Sequence, residues 1–84
     1  MIDENIVTIQ VEKDEQGRTG TWTEETRDPE GILISKRVDK YSYYETGEIN
    51  VIDQRIYDGE GSLRSKKTVK HFTDGRRPVV TELL

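Results

Sequence analysis

"YDGEGSL", residues 57–63, decides how the chain is read, because an acidic tetrad between glycines is either a ligand site or a place where the backbone turns. Its spacing favours the turn. Gly17, Gly31, Gly47, Gly61 and Gly75 recur at intervals of 14, 16, 14 and 14 residues. Three of these glycines close the pattern DxxG, as "DEQG" (14–17), "DPEG" (28–31) and "DGEG" (58–61), and the others close "YETG" and "FTDG". Asp at the first position of a type I turn accepts bonds from the backbone ahead of it, and Gly at the fourth adopts the left-handed φ that ends the turn. That combination is the three-residue hairpin loop with a G1 bulge. Asp14, Gly17, Asp28, Gly31, Gly47, Asp58, Gly61 and Gly75 are therefore structural turn residues.

Between corners lie about ten residues rich in Ile, Val, Thr and Tyr, which suit a pleated, half-buried surface. The chain is expected to be all-β, an antiparallel meander of about six strands near 5–12, 18–27, 32–43, 48–57, 62–72 and 76–83. It should form one small domain over 1–84, with residues 1–4 a candidate disordered tail. The corner sets the residue before Asp opposite the residue two after Gly, so Tyr57 should face Leu63 and Tyr43 should face Ile49. Further in, Tyr41 should meet Val51 and Val69 should meet Val79. "FTDGRR" leaves a choice, since Asp74 and Gly75 could instead form a two-residue loop and shift the last strand by one.

This register gathers Val7, Ile9 and Val11 with Tyr41, Tyr43, Tyr57, Ile49, Val51, Leu63, Val69 and Val79 on one face and sends Ile6, Trp22, Ile32, Ile34, Ile52, Ile56, Phe72 and Val80 to the other. Both faces would then carry apolar side chains, and a bulge near Val38–Lys40, in the longer repeat, is expected to bend the sheet. Either the sheet curls on itself or a second copy covers it, and self-association is favoured. Pro78 marks the last strand as an edge. The first strand, Ile6, Val7, Thr8, Ile9, Gln10 and Val11, carries no charge and no proline, and as the other edge it is a template for strand addition by a homodimer partner or another protein.

"YDGEGSLRSKK" (57–67) resembles a YD repeat of the RHS type, whose units carry a YDxxGxL corner between short antiparallel strands, and "DPEGILISK" (28–36) matches it at Asp28, Gly31 and Leu33. "YYETGEI" (43–49) is similar to the repeats of YwqK-like antitoxin proteins, where a tyrosine pair precedes a turn glycine. The resemblance covers about half the chain. It implies a β-hairpin repeat scaffold without catalytic residues of its own.

Composition narrows function further. Apolar residues make up 31% of the 84 and charged residues 36%, a lean supply for a single core. With no cysteine there is no disulfide, thiolate nucleophile or Cys-based zinc site. No apolar run exceeds three residues and the N-terminus is acidic, so no membrane segment or signal peptide is read and a cytoplasmic location is expected. The net charge of −4 is uneven: residues 1–31 hold nine acidic and three basic side chains, whereas residues 62–77 hold six basic and one acidic. The two ends should attract one another.

Candidate chemistry is thin. A calcium loop framed from Asp14 to Glu25 would put Arg18 at a ligand position and Thr19 where glycine is required. "GEG" lacks the Lys and Ser or Thr of a phosphate loop. His71 stands alone, expected opposite Arg77, and Glu24 and Glu25 point to opposite faces of a strand. No catalytic, metal or cofactor residue is assigned, no small-molecule ligand is expected, and the chain reads as a non-enzymatic module for interaction or self-assembly. Trp22, Tyr41, Tyr43 and Tyr44 form its candidate interaction face. The alternative is nucleic-acid binding through Arg64, Lys66, Lys70, Phe72, Arg76 and Arg77, a basic stretch with one aromatic.

Overall fold

The computed structural model describes residues 4–83; of the candidate disordered tail, residues 1–3 lie outside this range. Six strands form one antiparallel sheet in chain order: β1 (Ile6–Lys13), β2 (Thr19–Arg27), β3 (Leu33–Tyr43), β4 (Ile49–Asp58), β5 (Leu63–Lys70) and β6 (Val79–Leu83). The meander follows from its corners. At Asp14, Asp28, Tyr44 and Asp58 the residue's carbonyl accepts from the glycine N–H three positions on, and its own N–H donates to the carbonyl four positions on. All five repeat glycines have φ between 80° and 92°. In the three aspartate corners one carboxylate oxygen also accepts two amides: Gln16 and Arg18 on Asp14, Glu30 and Ile32 on Asp28, Glu60 and Ser62 on Asp58, all at 2.9–3.0 Å. The carboxylates serve the turn.

The first pair beyond each of the first four corners is the expected one, including Tyr57 opposite Leu63 and Tyr43 opposite Ile49. Beyond it the register slips by one in every case. Gly20, Ile34, Asn50 and Arg64, each three residues after its corner glycine, are bulged out of the ladder. Tyr41 therefore pairs with Ile52, not Val51, and Val69 with Val80, not Val79. No irregularity occurs at Val38–Lys40, where pairing with both neighbours is continuous, so the expected bend there is replaced by one bulge per corner.

The fifth connection opens into residues 71–78, neither the three-residue nor the two-residue loop, because Asp74 lacks the positive φ a two-residue loop needs. Its register still carries the same slip, and Pro78, three residues after Gly75, sits just before β6 at the bulge position of the repeat. His71 does not face Arg77 across a ladder. Its N–H extends the β4–β5 ladder to the Asn50 carbonyl.

The bulges decide the faces. Val7, Ile9, Val11, Trp22, Tyr41, Ile52, Ile56, Val69 and Val80 all fall on one side, here the front, by unbroken cross-strand pairing. The expected split of these residues between two faces is thus corrected. The back is mixed, with Thr8, Gln10, Thr23, Lys36, Lys40, Arg55, Lys66 and Thr68 beside Ile6, Val38, Val51, Tyr57, Val79 and Leu83. No apolar side chain is buried among the described residues; the single buried residue is Asp39.

Candidate functional site

The described residues form a single layer, so the surfaces available for function are the two faces of the sheet, its two edges and the corner ends. At the centre of the front face, β2, β3 and β4 set Trp22, Asp39 and Gln54 side by side in one cross-strand row, with Arg37 and Tyr41 flanking Asp39 along β3. Asp39 is only 2% exposed. The Arg37 guanidinium grips its carboxylate through Nε at 3.1 Å and Nη2 at 2.9 Å, and lies 5.1 Å over the Trp22 ring. With its amide oxygen turned toward Arg37, Gln54 accepts from the same guanidinium. Such a fork satisfies a buried carboxylate better than a single amine could.

The electrostatics follow the geometry. The Asp39 hydrogen bonds push the Arg37 pKa above its ordinary value, and burial, then the Asp39 charge, pushes the Tyr41 hydroxyl up. Arg37 stays 43% exposed, so one side of the guanidinium still looks outward. Around this polar centre lie two apolar flanks: Val7, Ile9 and Val11 beside Trp22 on the β1 side, and Tyr41, Ile52, Val69 and Val80 in one row toward β6.

The four aromatics expected to share a face do different jobs. Trp22 and Tyr41 belong to the front. Tyr43 and Tyr44 reach to either side of their corner: the Tyr43 hydroxyl donates to the Thr19 carbonyl and the Tyr44 hydroxyl to the His71 carbonyl, both at 2.7 Å. Each is also covered by a cation, Arg18 at 4.3 Å over Tyr43 and Lys70 at 5.2 Å over Tyr44. They tie the middle corner to its neighbours at the same end of the sheet.

The basic candidates are likewise divided. Arg64 is held on the Asp58 carboxylate at 2.7 Å and Arg76 on Asp74 at 2.7 Å, which helps keep both aspartates below the usual carboxylate range. Phe72 lies under the Arg76 guanidinium at 4.1 Å, with Lys70 also near its ring. Lys66 and Lys70 point from the back of β5, and Arg77 is exposed in the loop. Only Lys70, Phe72 and Arg76 are brought together. Sequence reasoning missed the Arg37–Asp39–Gln54 cluster, because three polar residues at mid-strand look like solvated alternation until their common face is known.

Among the described residues no three His, Asp or Glu side chains stand close enough to hold a metal ion, and no helix is long and apolar enough to cross a membrane. No family model, curated protein or solved structure matches the chain.

Proposed function

We propose that this protein is a non-enzymatic β-sheet module that works by self-association, with the front face as the surface covered. One observation carries the reading: a single-layer sheet leaves its apolar side chains wet, with none buried among the described residues. Its accessible surface is 6378 Å², against roughly 5,100 Å² expected of a compact 9.7 kDa chain. The excess, roughly 1,200 Å², is of the order that one partner loses in a stable interface, about 800 Å² or more. Shape agrees, since the radius of gyration is 15.5 Å where about 12 Å is expected of a compact domain of this length.

The front face also has the anatomy of an interface. Aromatic and β-branched side chains surround a fixed polar centre, and Arg and Trp stand there as anchors. The alternative, nucleic-acid binding by residues 64–77, is less well supported because Asp58 and Asp74 already occupy Arg64 and Arg76. Sedimentation tests the reading. The protein should associate in the micromolar range, and Ile52→Lys on the front should weaken association at least about tenfold, the cost of a charge placed in an apolar contact. Val51→Lys, one residue away on the back, should leave it unchanged. A protein that stays monomeric at high micromolar concentration would contradict the reading.

A further inference from the structure

We infer that β1 is a docking edge for β1 of a second copy, the two strands running antiparallel about a two-fold axis at Ile9; this rests on the self-association proposed above and specifies a contact separate from the front face.

The backbone makes the edge available. Asp14 bonds to Arg18 at the corner, so counting back along β1 the even-numbered residues turn their N–H and C=O groups to β2. Val7, Ile9 and Val11 turn theirs outward, unpaired, on a strand that is exposed along its whole length. The other edge is poorer. His71 bonding to Asn50 fixes the odd residues of β5 toward β4, so Val79, Thr81 and Leu83 face β5 and only Val80 and Glu82 of β6 face outward. Pro78, next in that series, has no N–H to offer.

The occupant follows from self-complementarity. With Ile9 opposite Ile9 of the second copy, Val7 meets Val11 and Val11 meets Val7, so each of these outward residues donates and accepts once and the apolar side chains of the front face meet one another. At the ends Glu12 meets Ile6 and Lys13 meets Asn5, so no like charges face across residues 5–13. Moving the axis to Thr8 puts Val11 against Asn5, and moving it to Gln10 puts Val7 against Lys13. The Ile9 axis alone pairs Val7, Ile9 and Val11 wholly with one another, and it joins the two flanks of Val7, Ile9, Val11 and Trp22 into one apolar surface, twice as wide and continuous with the face proposed to be covered.

Two measurements test the pairing. In the wild type, amide exchange at Val7, Ile9 and Val11 should slow at least about tenfold between low micromolar and millimolar concentration, while the even amides are protected throughout. In this cysteine-free chain, Ile9→Cys should cross-link to itself in a glutathione buffer, since directly bonded antiparallel partners sit about 5.5 Å apart at Cα, within disulfide reach. Val7→Cys should not cross-link alone but should with Val11→Cys. An associated wild type whose Ile9 amide exchanges freely overturns this inference and leaves the front-face reading standing, as would be the case if the edge served another protein's strand. Cross-links at Thr8→Cys or Gln10→Cys in place of Ile9→Cys overturn the stated axis. A wild type that never associates removes both proposals.

Discussion

The two corners that bracket β4 close the same turn with different chemistry. Tyr44–Glu48 opens the strand and Asp58–Ser62 ends it, with matching backbone bonds and glycine φ values of 92° and 88°. The Asp58 corner is locally complete: its carboxylate holds two amides with one oxygen and Arg64 with the other. The Tyr44 corner has no such acceptor and is fastened from a distance, by Tyr43 to Thr19 and Tyr44 to His71. A turn can therefore be held by its own side chains or by its neighbours, and the two modes should fail differently.

The largest effect is expected at Gly59, inside the locally complete corner. A Cβ built there falls 2.2 Å from the Leu33 carbonyl oxygen, a backbone atom of the strand after the adjacent corner. Gly59→Ala must push the two corners apart, at about 1–3 kcal/mol, lowering the melting temperature by on the order of 10 °C at fixed protein concentration. By contrast Gly47 and Gly61 have open space around the missing Cβ. Alanine at either should cost about 1–2 kcal/mol through the left-handed backbone alone, equally at both ends of β4. Unequal losses would mean that the side-chain fastening and not the glycine sets the turn.

Next in size is Tyr44→Phe, which keeps the ring under Lys70 and removes only the hydroxyl. It leaves the part-buried His71 carbonyl without that donor, at about 0.5–1.5 kcal/mol. Hydrogen exchange should show loosening at residues 71–78, far along the chain from the substitution. The same experiment on Asp58→Ala should loosen only residues 58–64. Loosening confined to 44–48 in the tyrosine variant would dissolve the contrast between the corners.

The comparison also explains what could be read before the fold was known. Acid and glycine at fixed spacing have one mechanical use, so the first four corners with their first cross-strand pairs and the six strands were legible, whereas the open connection at 71–78 was not. The second bulge was not, since Gly20, Ile34, Asn50 and Arg64 share no chemistry and their place is dictated by backbone geometry three residues past the glycine. That single slip moved Ile52 and Val80 to the face of Tyr41 and Val69 and sent Val51 and Val79 to the other. The Arg37–Asp39–Gln54 cluster was hidden for the same reason: β3 and β4 had to be in true register before Gln54 could be placed beside Asp39.

The smallest effect, and the most selective, comes from acid. Ser62 and Glu60 amides, with Arg64, hold the Asp58 carboxyl below its ordinary value, and the Arg18 amide and guanidinium with the Gln16 amide do the same for Asp14. A carboxyl depressed in the fold contributes stability that is present above its unfolded pKa, about 3.9, and lost as pH falls through the lower folded value. Between neutral pH and about 4 these corners should be unaffected; below that, amide protection at Gln16, Arg18, Glu60 and Ser62 should fade. The Tyr44 corner has no carboxylate in its turn bonds, so the Gly47 amide should keep its protection over the same range. If Gly47 and Ser62 lose protection together, acid is opening the whole sheet at once, and the two ends of β4 are not held by separable means.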